Sequence, residues 1–408
     1  MFFEYHLRIS GRRRVHSWSA AHNNDWREEG HAGVAGPRRR TLSTVGAAGA
    51  VAPIGSGMDL SIFAILTQDG IASGAVYVLL ALALVLVFSI TRVIFIPLGE
   101  FVAFGALTMA AFQAGHFPQS ATLLVILGVA SFAQEAFVTV RSPAGQHAPG
   151  RALAASFLKF VLLPVAVYAI ARTVDGAALP MLAQLLLAFA IVVPMGPMIY
   201  RLAFQPLAES PVLVLLIVAV AVHLVMLGIG LVLFGAEGSR TTPFWTEVFN
   251  IGTVTISGQS VVVIAAALLL IGALYLYFDR TLSGKALRAT AVNRRGARLV
   301  GIGTVQAGRL AFLLASIIGT LCGVLIAPIT TIYYDSGFLM GLKGFVGAII
   351  GGLASYPLAA GGALLVGLLE AYSSFYASAL KEVIVFTLII PVLLWRSIVH
   401  PQVEEEEA

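Results

Sequence analysis

Residues 211–234 read PVLVLLIVAVAVHLVMLGIGLVLF, twenty-four positions without one Asp, Glu, Lys or Arg. A helix needs about 20 predominantly apolar residues to cross the hydrocarbon core of a bilayer, and lipid satisfies no open backbone. Such a run has one stable form there, a spanning helix. Comparable apolar runs between polar breaks fall at 69–90, 93–113, 119–140, 153–173, 180–200, 211–234, 260–278, 309–327, 343–354, 357–372 and 381–396. The pattern predicts an all-α, polytopic transmembrane helical bundle of about nine to eleven segments, because a membrane β-barrel shows short alternating stretches instead. With 59% hydrophobic and 11% charged residues, the composition is not that of a soluble domain. The run 343–354, about 18 Å of helix, is too short to cross alone and is expected to be re-entrant or broken.

Residues 1–57 differ from the rest. They carry Arg12–Arg14, Arg38–Arg40 and no sustained apolar period, so they read as a disordered basic leader, and the functional protein is expected to begin at or near Met58. The transmembrane domain then spans 58–398, followed by an acidic tail, 399–408, with Glu404–Glu407. Eight of the 25 basic residues sit in the leader, so the formal charge of +5 is no sign of nucleic-acid binding, and no nucleic-acid partner is expected.

Orientation follows from where the remaining Lys and Arg cluster, since basic loops stay cytoplasmic. The 279–309 segment holds Arg280, Lys285, Arg288, Arg294, Arg295, Arg298 and Arg309 and is expected inside. Counting spans places Arg92, Arg141, Arg151, Arg201 and the C-terminus on that side as well, and Asp175 and the 235–259 loop on the other. A short echo, LGEFVAFGA at 98–106 against LKGFVGAII at 342–350, fits two halves related by a repeat.

Enzyme signatures are missing from the sequence. It has no G-x-x-x-x-G-K-[ST], no H-E-x-x-H, no paired cysteines and no G-x-S-x-G, so neither a P-loop nucleotide site, a catalytic residue, a metal site nor a cofactor is expected. Cys322 reads as core packing, and His223 as hydrogen-bonded between helices. Glu100, early in the second span, is costly there and marks a partner or a cavity, Arg92 being the nearest base in sequence. The glycines of 347–352 permit either close helix packing or room for a solute. In GKALRATAVNRRGARLVGIG, 284–303, Ala289, Asn293 and Ala297 recur at i, i+4 and i+8. That spacing reads as a helical face for another protein, flanked by guanidinium groups that pair with acids, or as a solvated basic loop that only sets topology.

Three stretches together, GIASGAVYVLLALALVLVFSITRVIFIPLGEF (70–101), GKALRATAVNRRGARLVGI (284–302) and GLKGFVGAIIGGLASYPLAAGGALLVGLLEA (341–371), resemble the membrane permease subunit of branched-chain amino acid ABC importers, of the high-affinity leucine/isoleucine/valine type. YRLAFQPLAESPVLVLLI (200–217) is similar to a fourth segment of that family. The resemblance implies a bacterial inner-membrane complex of two permeases, the second a related but different chain, two cytoplasmic P-loop ATPase subunits and a periplasmic solute-binding protein. It implies that Arg288, Ala289, Ala291, Asn293, Ala297, Arg298 and Gly301 form the loop that couples to the ATPase. Ser73, Tyr77, Glu100, Gly347 and Gly351, in the other matching stretches, form a candidate translocation path. Phe95 and Leu98 stand where the family usually has Asn and His, and Arg295 and Gly296 where it has an acid and Ala. Between the second span and Arg201 the chain has three runs where the family has about one, so 119–173 is expected to hold an extra helical pair. A permease for urea or short amides is the alternative within the family. A stand-alone secondary transporter, resting on Glu100, Glu135 or Glu370, is the alternative outside it.

Overall fold

The longest helix of the computed structural model, α1 (Leu60–Thr91), is the post around which the bundle is built. The structure describes residues 60–141, 149–251 and 254–399; the leader and Glu404–Glu407 lie outside them. From Leu79 to Val87 no side chain of α1 is more than 9% exposed. Small residues set its main contact. A Cβ on Gly70 would sit 2.9 Å from the Leu368 backbone, and Gly367 meets Gly74 directly, the close approach expected where helices associate in lipid.

Thr91 ends α1, and Val93–Pro97 enters the core without helical hydrogen bonds before α2 (Leu98–Gln113) begins. Pro97 precedes the helix, as suits a residue with no N–H to donate. Next come α3 (Ser120–Arg141), α4 (Pro149–Phe157) and α5 (Leu163–Thr173). A π-helical turn at Leu158–Leu162 joins the last two ahead of Pro164, whose missing N–H cannot serve the Phe160 carbonyl. That carbonyl lies against Gly128 of α3, where no Cβ would fit. Glu135 of α3 forms an ion pair with Arg201, whose guanidinium also covers the Phe160 ring at 4.7 Å.

The fifth span is broken into α6 (Met181–Val192), α7 (Met195–Ile199) and a π-helical turn, Tyr200–Phe204. Pro197 cannot donate to the Val193 carbonyl, and Ser316 Oγ does so instead at 2.9 Å, a replacement membrane helices commonly use. After α8 (Val212–Phe234) an antiparallel hairpin, β1 (Val248–Ile251) and β2 (Val254–Ser257), leads into α9 (Gly258–Arg280). Two short helices, α10 (Leu282–Val292) and α11 (Arg294–Leu299), precede α12 (Thr304–Ile326). The chain closes with α13 (Ser336–Ile350), α14 (Tyr356–Tyr376), α15 (Lys381–Thr387) and α16 (Ile389–Val399).

Among the described residues nine helices are long and apolar enough to span a membrane, and Leu98–Gln113 and Ser336–Ile350 are shorter apolar helices. Their outward side chains are apolar too: Leu186 is 62%, Leu269 73% and Val232 83% exposed, as lipid-facing positions are. The architecture is thus the expected all-α polytopic bundle, with a small hairpin in one loop. Loop contacts gather on two faces. Gln113 Oε1 accepts from Thr242 N at 2.8 Å and Ser239 bridges Ile332 on one face. On the opposite, basic face, Arg294 Nη1 donates to the Ala208 carbonyl at 3.0 Å and Arg309 to Gln205 at 2.9 Å.

Candidate functional site

Two short helices begin inside the bundle, and their first turns meet. A Cβ at Gly99, the second residue of α2, would fall on the Gly337 carbonyl, and one at Gly337, the second residue of α13, on the Gly99 carbonyl. Only glycine at both positions lets the two backbones touch. The echoing stretches 98–106 and 342–350 lie in these two helices. From this junction α2 runs to the face carrying Thr242, and α13 to the basic face.

Glu100 stands in the first turn of α2, where the amide dipoles favour a negative charge. It is 0% exposed, and its Oε1 lies 2.9 Å from His223 Nδ1 of α8. Its partner is therefore His223 and not Arg92, whose side chain stays at the basic face, with an extended segment between it and α2. The interhelical hydrogen bond expected of His223 is this one. Phe338 of α13 stacks on the imidazole, centroids 4.6 Å apart and planes at 26°. Glu100 Oε2 has no protein hydrogen-bond partner, and Asp335, just before α13, is exposed. The junction therefore offers a carboxylate oxygen with spare capacity, an imidazole and a second carboxylate beside two helix N-termini. Such groups accept from an ammonium or amide N–H, and helix starts favour a carboxylate.

Tyr77 belongs to a second polar cluster. Its hydroxyl donates to Glu370 Oε2 at 2.6 Å, and Lys343 Nζ lies 2.6 Å from Glu370 Oε1 and 3.2 Å from Glu382 Oε1. One cation faces two carboxylates here, on α13, α14 and α15. Lys343 is 5% exposed, so leaving it unpaired would be costly. Ser73 sits one turn before Tyr77 on α1, partly buried. Gly347 and Gly351 lie elsewhere, in the seam between α13 and α14: added Cβ atoms would meet Ala363 Cβ at 2.6 Å and Ala359 Cβ at 2.7 Å. The five candidate path residues thus fall into three separate places. The sequence pattern did not single out Lys343, Phe338, Asp335 or Glu382; a lysine between the apolar stretches FLMGL and GFVGAII was the available signal.

The basic segment is two helices rather than one, although Ala289, Asn293 and Ala297 still line one shallow groove. Asn293 has extended backbone (φ −149°, ψ 103°) and caps α11, its Oδ1 accepting from Gly296 N at 2.8 Å. Short polar side chains favour this role over a helix interior, which is why the helix does not run on from Ala289 to Ala297. Gly301 closes α11 with φ 85°: Ile302 N reaches the Ala297 carbonyl at 2.9 Å and Gly301 N the Arg298 carbonyl at 3.1 Å, a Schellman ending that needs a left-handed residue. Ala297 is 4% exposed, Ala289 and Ala291 are partly buried, and Arg288 is exposed. Arg298 Nη1 lies 2.8 Å from Glu209 Oε1. That hydrogen bond, and the charge behind it, hold the Glu209 carboxyl below its usual range. Around these residues Leu282, Val292, Leu299 and Val300 are 87%, 84%, 89% and 76% exposed.

Comparison with known proteins places this arrangement. The chain is 28% identical over 242 residues to the high-affinity branched-chain amino acid transport system permease protein BraD of Pseudomonas aeruginosa, covering 57% of this chain and 78% of that protein. It is 29% identical over 206 residues to the corresponding permease protein LivH of Escherichia coli, covering 49% and 67%; LivH of Salmonella typhimurium gives the same figures. No solved structure matches. Residues 66–393 match the branched-chain amino acid transport system permease component, and with most of its length so covered the chain belongs to that permease family.

Proposed function

We propose that this protein is the membrane permease subunit of an ABC importer that moves branched-chain or related amino acids across a bacterial inner membrane, driven by a separate ATPase. The reading rests on α10 and α11. Four large aliphatic side chains there are each more than three-quarters exposed, beside Lys285, Arg288, Arg295 and Arg298. Exposed apolar side chains grouped among charges mark a protein contact. In this reading Arg288, Ala289, Ala291, Asn293, Ala297, Arg298 and Gly301 build the coupling segment: Asn293 and Gly301 shape it, and the flanking aliphatics with Arg295 and Arg298 meet the ATPase. The basic face and the C-terminus are then cytoplasmic, and a second, related permease and a periplasmic solute-binding protein complete the importer. The solute passes the junction of α2 and α13, its ammonium facing Glu100 and Asp335. Lys343, Tyr77 and Glu370 hold α13 to its neighbours.

ATP-driven leucine uptake into proteoliposomes holding all subunits tests the assignment. Leu299→Asp, on a side chain that is 89% exposed, is expected to abolish uptake and cross-linking from residue 293 to the ATPase while leaving the purified permease folded. Uptake concentrated by the permease alone, without nucleotide, sinks the proposal.

A further inference from the structure

A cavity of about 1670 Å³ lies on the basic side of the bundle, between α1, α9, α10, α13 and α14. It is larger than the ~300–1,000 Å³ of an ordinary small-ligand pocket. Its walls are apolar and follow helix faces: Leu82 and Leu86 on α1, Ile271 and Leu274 on α9, Phe345 and Ile349 on α13. Leu82 is ten residues from Arg92, so the space reaches about 15 Å inward, half the thickness of a bilayer core.

Polar groups gather at one end, where Arg92, Arg288, Ser89 and Tyr356 line the rim, and none of the described lining residues is acidic. Arg92 is exposed and ends α1 with φ 61°, its N–H returning to the Phe88 carbonyl at 2.8 Å. That position ordinarily takes glycine, and left-handed backbone costs any other residue about 1–2 kcal/mol. The chain keeps a guanidinium there against a backbone preference, which points to work for its charge. Arg288 faces the same rim from α10, and neither arginine is ion-paired among the described residues.

We infer that this cavity seats an anionic phospholipid, its acyl chains between α1, α9 and α13 and its phosphate between Arg92 and Arg288. Depth, apolar walls and a rim of paired cations match the two ends of such a molecule. Guanidinium groups take phosphate oxygens in pairs, and basic pockets between membrane helices bind anionic headgroups. A free amino acid would bring its ammonium to a rim whose charged groups, among the described residues, are two guanidiniums. The leaflet rests on the orientation proposed above; the binding does not depend on transport.

Native mass spectrometry of the assembled transporter, purified from membranes containing phosphatidylglycerol and phosphatidylethanolamine, tests it. Phosphatidylglycerol is expected to be retained over phosphatidylethanolamine, with a loss of about fivefold for Arg92→Gln or Arg288→Gln and about 25-fold for both. Lysine at both positions keeps most of the retention. Ala360→Trp, which fills the cavity and leaves both arginines in place, removes it. Equal retention of the two lipids, or retention unchanged in the double Gln variant or in Ala360→Trp, overturns the inference. So does a disulfide from a cysteine at 274 to the second permease, which would mean that protein covers this face. Because uptake is not read, a negative result leaves the permease assignment standing.

Discussion

Removing the His223 imidazole tests how the buried Glu100 is held. Glu100 is 0% exposed, one oxygen lies 2.9 Å from His223 and the other has no protein partner. His223→Ala takes away that partner, and leaving a buried carboxylate without one costs about 3–5 kcal/mol. Adding Glu100→Gln removes the orphaned charge at nearly constant volume. The double variant is therefore expected to be more stable than His223→Ala alone, with a residual loss of about 1 kcal/mol, the size of an interhelical hydrogen bond in a membrane protein. Recovery of about 2–4 kcal/mol by a second substitution is a sign that additive packing losses cannot produce. SDS-driven unfolding of the purified protein in mixed micelles, followed by circular dichroism, reads all three free energies. Equal losses in the single and double variants would refute the reasoning, since they would mean that no buried carboxylate charge depends on His223.

Three further outcomes follow from the geometry. Gly99→Ala places a methyl group on the Gly337 carbonyl and is expected to cost about 1–3 kcal/mol in the same unfolding assay, as overpacking does, whereas Gly361→Ala, with open space around it, is expected to cost nothing measurable. Asn293→Ala removes the cap of α11 and should cost about 1 kcal/mol of local stability, seen as faster hydrogen exchange over 294–299 with protection of α12 unchanged. The Glu209 carboxyl is lowered by Arg298, so its tie to α11 is fully present above the ordinary value of 4.5 and is lost as pH falls through the lower, folded-state value. A spin label at residue 299 should stay equally restrained from neutral pH down to that region, loosen below it, and be loose throughout in Glu209→Gln.

The apolar runs announced the spans because a membrane leaves one backbone solution, and the helices 153–173 and 211–234 begin and end almost where their hydropathy does. Boundaries slipped where a charge was taken for an edge. Asp69, Arg309 and Lys343 all lie within helices that begin earlier, at Leu60, Thr304 and Ser336. Arg309 reaches Gln205 and Lys343 reaches Glu370; partners distant in the chain let a helix carry a charge that hydropathy alone rejects. Glu100 stood out by its cost, yet its partner lay 123 residues away, beyond any local pattern. The break at Asn293 was written in a residue that caps helices more readily than it continues them.

The contact of Gly99 with Gly337 has a mechanical consequence. Where two helices interlock through side chains, turning one against the other must unseat rotamers and open gaps. Here the touching surfaces are bare main chain, so what resists turning one half-crossing against the other falls on the side chains beside the contact, Glu100, His223 and Phe338.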